Sequence, residues 1–178
     1  MNKRRIYILL TRLPNFGSKF LTLVTGFYYT HASIGLDEDM NTFYSFVFKG
    51  FIVEKINRYV KPHRLPFPCQ VYEIYVDEDK YNEIKEYING FVERKNELKY
   101  TKFGVAMCMM GIPFKRKQHF FCSQFVADVL KRCNVKRLGK PTVLYLPHDL
   151  NTLLKENIMF KGNHESFLKR FNINKEIG

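Results

Sequence analysis

The chain has 178 residues, 46% of them hydrophobic and 16% aromatic, which is enough for one globular domain with a sizeable core. The apolar run at 6–10 is too short for the core of a signal peptide, and no segment approaches the roughly 18 apolar residues that cross a bilayer. We therefore expect one cytoplasmic domain over residues 1–178. The net charge of +12 is compatible with an anionic polymer or membrane surface as partner, although it is more typical of a soluble basic protein, and without a continuous basic stripe we expect no specific nucleic acid.

Alternating and β-branched apolar residues in the first half of the chain predict strands. The predicted strands span about 6–11, 31–36, 41–48, 51–56 and 69–77. A turn at 14–17 and a short helix at 19–25, capped by Ser18 and closed by Gly26, separate the first two strands. An acidic turn follows at 37–39, and three prolines make 61–68 an irregular loop.

Helical periodicity dominates the second half of the chain. The predicted helices span about 78–95, 100–110, 121–133 and 147–155. A last edge strand is expected at 158–160, and residues beyond about 163 are expected to form a polar, basic tail that frays. Because the strands mostly precede the helices without βαβ alternation, we predict an α+β fold, with an antiparallel sheet packed against helices.

Four cysteines, at 69, 108, 122 and 133, form no CxxC pair and have no histidine spacing suited to zinc. We expect reduced thiols, no metal and no cofactor. Cys122 is distinctive because it lies at the start of a predicted helix, where free N–H groups lower a thiol pKa. The backbone of Cys122 and Ser123 there is suited to hold an oxyanion. A helix-start cysteine is also a common buried filler, and its position alone does not exclude that interpretation.

A nucleophilic cysteine needs a base, which is usually a histidine. His31 opens a predicted strand on which Ser33 and Gly35 share its face, so small neighbours leave room for another group to approach. A hydrogen-bonded structural histidine is an equally good interpretation of this position. The remaining histidines are weaker candidates: His63 and His164 are expected to be exposed, His148 starts a helix, and His119 is expected to be a bystander.

The segments "YTHASIGLDEDMNTFYSF" and "FFCSQFVADVL" together resemble the circularly permuted papain-like amidases. These are relatives of the NlpC-type cell-wall peptidases and of the lecithin–retinol acyltransferases, and "GFIVE" and "GIPFKRK" resemble segments of bacterial members. In the unpermuted relatives the cysteine helix precedes the histidine strand, whereas here the histidine comes first. The resemblance covers about residues 5–150 and implies a papain-like fold with the nucleophile at a helix N-terminus.

The resemblance implies Cys122 as nucleophile and His31 as general base in a hydrolase that forms an acyl-enzyme. In the family a polar residue on the strand after the histidine strand orients the imidazole. Alignment places Ser45 nearest that position, and Glu54 and Glu73 are alternatives. A serine orients an imidazole more weakly than a carboxylate does, so the third residue stays open.

Three functions remain in competition. The first is a cysteine hydrolase of the amidase or peptidase type, acting on an amide, a small peptide or an ester. The second is acyl transfer or hydrolysis on a lipid, for which the methionine-rich run at 106–111 would line a groove, although such a run is more typical of core packing. The third is a basic binding module without catalysis. The loops at 61–68 and 111–119 carry no pattern that identifies a substrate.

Overall fold

A computed structural model describes residues 3–12, 26, 28–36, 39–60 and 65–173. The predicted turn at 14–17 and helix at 19–25 lie outside these residues, as do His63, part of the 61–68 loop and part of the 37–39 turn. The described part is an α+β fold built on an antiparallel sheet, which confirms the predicted class.

Six strands form the main sheet, in the order β4-β3-β2-β1-β5-β8, and every neighbouring pair is antiparallel. The two longest strands, β1 and β5, are neighbours in the interior of the sheet, where both faces are covered. The strands span β1 Lys3–Thr11, β2 His31–Leu36, β3 Thr42–Val47, β4 Gly50–Lys55, β5 Pro68–Asp77 and β8 Ile158–Asn163. The predicted edge strand at 158–160 is therefore present and longer than expected.

Five α-helices are present in the described ranges, and four of them match predicted helices. They span α1 Glu78–Glu93, α2 Lys102–Met109, α3 Cys122–Arg132, α4 Pro147–Leu153 and α5 His164–Arg170. Side-chain caps explain where two of them start: Asp77 accepts the Lys80 N–H, and Thr101 accepts the Gly104 N–H. No helix of this part of the chain is long and apolar enough to span a bilayer.

The sheet separates two hydrophobic cores. Helices α1, α3 and α4 cover one face, where the rings of Phe46, Phe51, Phe91 and Phe125 pack with centroids 4.9–6.1 Å apart. Helix α5 covers the other face through Phe167 and Leu168. The four-phenylalanine cluster on the first face fixes α3 against strands β3 and β4, and therefore fixes the position of the first residue of α3, Cys122.

The expected frayed tail is instead partly a packed helix. Asn163 caps α5 by accepting the Ser166 N–H at 2.9 Å, and His164 is only 1% exposed. The His164 ring stacks on Phe67 at 3.9 Å, and its Nδ1 accepts the Phe67 N–H at 3.2 Å. The prediction that His164 is exposed was wrong because its partner lies in a distant loop, which local composition does not reveal.

A short parallel pair of strands, β6 (Lys99–Tyr100) and β7 (His119–Phe120), was not predicted. It is held against the main sheet by a close approach at Gly50, the first residue of β4. Gly50 has a φ of +106°, and a Cβ at this position would lie 2.5 Å from the Leu98 carbonyl oxygen. Only glycine satisfies both conditions without a backbone shift.

We predict that Gly50→Ala lowers the free energy of unfolding by about 1–3 kcal/mol, because it adds both φ strain and a steric overlap. Gly90→Ala is the matched control, since Gly90 lies in the last turn of α1 and nothing lies within 4 Å of its Cβ position. That change should raise stability by about 0.5–1 kcal/mol. Urea unfolding measures both variants, and equal effects would contradict the role assigned to Gly50.

Candidate active site

Cys122 is the first residue of α3. Phe121, in extended conformation, precedes the helix, and its N–H lies 3.4 Å from the Gln124 Oε1 atom. The Cys122 side chain is 6% exposed, so its sulfur lies at the edge of the core with restricted access to solvent. The N–H groups of Ala32 and Ser123 both form hydrogen bonds to this sulfur.

His31 begins β2 and pairs with Thr11 of β1. The Thr30 N–H donates to the Thr11 carbonyl at 3.0 Å, which fixes the chain immediately before the histidine. The imidazole is 7% exposed and forms a hydrogen bond with Cys122. The structure therefore brings together the two residues that the sequence singled out.

Glu54 of β4 completes a line of three ionisable groups. Its Oε1 lies 3.2 Å from the His31 Nε2, and its Oε2 accepts the Tyr59 hydroxyl at 2.7 Å. Because Nε2 is engaged by Glu54, Nδ1 is the ring nitrogen left for Cys122. The arrangement is a thiol, an imidazole and a carboxylate in sequence, with the carboxylate itself fixed by a phenol.

Burial and charge oppose each other at all three groups. Burial alone would lower the pKa of His31, but the Glu54 charge and the hydrogen bond with Cys122 outweigh it and raise that pKa to about 10. Burial would raise the pKa of Glu54, yet the adjacent His31 holds it below its ordinary value. The geometry therefore favours a carboxylate beside an imidazolium.

The pKa of Cys122 is lowered for the same reason. Burial would raise it, but the hydrogen bond and charge of His31, with the N–H groups of Ala32 and Ser123, outweigh burial. Burial raises the pKa of the other three thiols, of Cys69 to about 12 and of Cys108 and Cys133 to about 11. Cys122 is thus the one cysteine of the four whose surroundings favour a thiolate.

The other residues proposed for the third position lie elsewhere. The Ser45 hydroxyl donates to the Ala32 carbonyl at 2.6 Å rather than to His31. Glu73 of β5 lies 3.7 Å from the Arg5 guanidinium and 3.4 Å from the Tyr7 hydroxyl. Of the three residues, the structure places Glu54 beside the imidazole.

The remaining described histidines do not approach the thiol through any contact that we find. His119 Nδ1 lies 2.8 Å from the Lys117 carbonyl, in the turn before α3. His148 is on the exposed side of α4, and His164 is buried against Phe67. That His119 is a bystander stays a prediction.

Sequence reasoning missed two tyrosines. Tyr59 follows β4 in a 3-10 turn, and its hydroxyl donates a hydrogen bond to the Glu54 carboxylate. In the sequence, the only indication of this contact is the short separation of five residues between Glu54 and Tyr59. Tyr100 of β6 is close enough to Cys122 that burial first, and the cysteine's charge second, raise its pKa. The sequence pattern predicts a helix over 100–110 that includes Tyr100, whereas the helix starts only at Lys102.

The proposed oxyanion donors are the backbone N–H groups of Cys122 and Ser123. The structure places both at the start of α3, where N–H groups have no partner in the preceding turn of helix. The Ser123 N–H is already directed at the Cys122 sulfur. The Cys122 N–H is therefore the better placed of the two to meet a separate oxygen.

Comparison with known proteins adds no relative to this picture. No protein-family model matches the chain, and no curated protein matches it.

We predict that iodoacetamide at pH 7 alkylates Cys122 at least tenfold faster than any other cysteine, because its thiol alone has a lowered pKa. Peptide mapping by mass spectrometry of the folded protein measures the four rates. Equal rates would show that the helix start and His31 do not activate the thiol.

We predict that Glu54→Gln shifts the pH profile of Cys122 alkylation upward by about one pH unit or more. Without the carboxylate the pKa of His31 falls, the imidazolium is lost at lower pH, and the thiolate loses its main stabilising charge. Glu73→Gln is the matched control, because it removes a carboxylate from the same sheet without touching His31. A similar shift in both variants would contradict a specific role for Glu54.

Proposed function

We propose that the protein is a cysteine hydrolase that cleaves an amide or ester through an acyl-enzyme on Cys122. The observation that carries this proposal is the buried line Cys122–His31–Glu54, in which the pKa of the thiol is lowered and that of the imidazole raised. Such an ion pair persists away from water only if other groups stabilise it. Here Glu54 stabilises the imidazolium, and the N–H groups of Ala32 and Ser123 stabilise the thiolate.

The geometry suggests the following steps. The Cys122 thiolate attacks the carbonyl carbon of the substrate, and N–H donors at the start of α3 receive the developing oxyanion. His31 gives its proton to the departing nitrogen or oxygen, which leaves an acyl group on Cys122 as a thioester. His31, now neutral, takes a proton from water, whose oxygen attacks the thioester; the acid product leaves, and the Cys122 thiolate and His31 imidazolium are restored. Glu54 keeps the imidazole oriented and stabilises its positive charge.

We further propose that the fold is papain-like and circularly permuted. Two features support this: the nucleophile begins a helix that packs on an antiparallel sheet, and the histidine strand precedes that helix in the chain. The order of the segments agrees with the resemblance found in the sequence. The papain-like assignment also accounts for a polar residue orienting the histidine from the same sheet.

Lipid acyl transfer is a second candidate, favoured by the surface near α2. The sequence pattern favoured core packing for the methionine run at 106–111, but Met109 and Met110 are exposed and only Cys108 of this run is buried. Cys108 of the same helix is close enough to Cys122 for the two thiols to interact, and exposed apolar side chains on such a helix suit an acyl chain. The non-catalytic alternative rested on the lack of an evident orienting residue, and the contact between Glu54 and His31 removes that argument.

We predict that p-nitrophenyl acetate gives a burst of p-nitrophenol and an acetyl group on Cys122, because an activated ester tests the pair without a specific substrate. Cys122→Ala should abolish the burst, and His31→Gln should lower its rate by about 10²-fold or more. Stopped-flow absorbance and intact-protein mass spectrometry measure the burst and the adduct.

Cys133→Ala is the control, since it removes a buried thiol at the C-terminal end of α3, opposite Cys122, and should leave the burst intact. A burst that survives in Cys122→Ala would contradict the proposal. Incubation with phospholipid vesicles separates the two candidates: a long-chain acyl adduct on Cys122 favours the lipid reaction, and its absence leaves amides and small esters ahead.

A further inference from the structure

A cleft of about 760 Å³ opens where α4 meets β5 and β8, a volume typical of ligand pockets. None of its residues belongs to the Cys122–His31–Glu54 line. We call it the basic cleft and define it by Tyr28, Gln70, His148, Asn151, Lys155 and Lys161.

The basic cleft lies on the same side of the sheet as the nucleophile. Helices α3 and α4 share one hydrophobic core, through Phe125 and Leu150. Gln70 of β5 pairs with Leu10, and Leu10 pairs with Ala32, whose N–H meets the Cys122 sulfur. Two strand spacings, about 10 Å, therefore separate Gln70 from Ala32, and the Cys122 sulfur lies one hydrogen bond beyond Ala32. One extended small molecule spans that distance.

A chain of hydrogen bonds forms one wall of the cleft, and within it the side-chain carbonyl oxygens of Gln70 and Asn151 both accept hydrogen bonds. The Tyr29 hydroxyl donates to Gln70 Oε1 at 3.0 Å, and the Tyr72 hydroxyl donates to Asn151 Oδ1 at 2.6 Å. The Gln70 side chain in turn forms a hydrogen bond with the Tyr72 oxygen. Among the described residues, the Asn151 amide nitrogen keeps its N–H donors unpaired. This wall therefore offers donors to a ligand.

The ionised side chains that line the cleft are lysines. Lys155 and Lys161 line it, and neither has an ion-pair partner in the described part of the chain. The Arg12 guanidinium lies 5.5 Å from the Tyr28 ring at the cleft's edge. Asp149, the acid on α4, is engaged by Lys140 at 2.6 Å.

The two tyrosines of the wall carry no negative charge that would repel an anion. Burial raises the pKa of Tyr29 to about 12 and moves the pKa of Tyr72 in the same direction, so both hydroxyls stay neutral.

We propose that the basic cleft binds an anionic group, a carboxylate or a phosphate, on the substrate whose carbonyl Cys122 attacks. An anion accepts hydrogen bonds and donates none, which matches a wall of donors and a rim of lysines. The inference rests on the proposed function and adds a substrate class to it: amides or esters that carry a negative charge roughly 10–15 Å from the bond that is cleaved.

The experiment uses ¹⁵N-labelled full-length protein titrated with phenyl phosphate, hippurate and the neutral benzamide at low salt. The side-chain amides of Gln70 and Asn151 report binding in the cleft directly. We expect saturable shifts of both amides with one or both anions and none with benzamide, and the stronger of the two anions distinguishes phosphate from carboxylate. Shifts of equal size with benzamide would overturn the proposal.

The Lys155→Gln/Lys161→Gln variant should weaken the binding of the anion at least fivefold. Lys95→Gln/Lys131→Gln is the matched control, because it removes the same charge from exposed lysines outside the cleft, and it should change affinity less than twofold. An equal loss of anion affinity in both variants would show that binding depends only on the overall positive charge of the protein, and would contradict a specific site in the cleft.

Protection of Cys122 links the cleft to the reaction. A saturating anion should slow alkylation of Cys122 by iodoacetamide at least threefold in the wild type and not in the Lys155→Gln/Lys161→Gln variant. Full alkylation under saturating anion would show that the cleft serves another ligand, and would overturn the proposal. Selective alkylation of Cys122 without any anion binding would leave the proposed hydrolase standing, whereas anion binding beside an unreactive Cys122 would remove the hydrolase instead.

Discussion

The hydrogen bond between His31 and Glu54 is the interaction on which the candidate site depends. Each of these side chains is less than a tenth exposed, and a buried charge without a partner is strongly unfavourable. Glu54 stays ionised because His31 and Tyr59 satisfy its two oxygens, and His31 stays protonated because Glu54 lies beside it. The thiolate of Cys122 is the third member of this balance, so no one of the three groups titrates independently.

The scaffold explains how three distant segments meet. Strands β2 and β4 carry His31 and Glu54 within one sheet, and the aromatic cluster around Phe125 fixes α3 over that sheet. The parallel pair β6–β7 then brings Tyr100 close to the sulfur from a further direction. Rigid packing on the helical face therefore positions a site whose own residues are mostly polar.

Local patterns were enough to predict the strand that starts at His31, the helix of Tyr81 and Ile88, and Cys122 at a helix start. The orienting residue was out of reach because three polar side chains occur on strands, and only register and sheet twist decide which of them meets the imidazole. Tyr59 and the stacking of His164 on Phe67 depend likewise on contacts between distant segments. The β6–β7 pair, with two residues in each strand, is too short to leave a periodic signal.

The wide separation of His31, Glu54 and Cys122 along the chain makes the reactivity of the thiol a property of the finished fold. On the ribosome, a nascent chain that has just exposed Cys122 carries a thiol with an ordinary pKa, because the imidazolium and the helix N-terminus exist only after β2, β4 and α3 have docked. Premature modification of the nucleophile is disfavoured during synthesis for this reason. Local unfolding of α3 would reverse the activation in the mature protein, so the labelling rate of Cys122 doubles as a probe of docking at this helix.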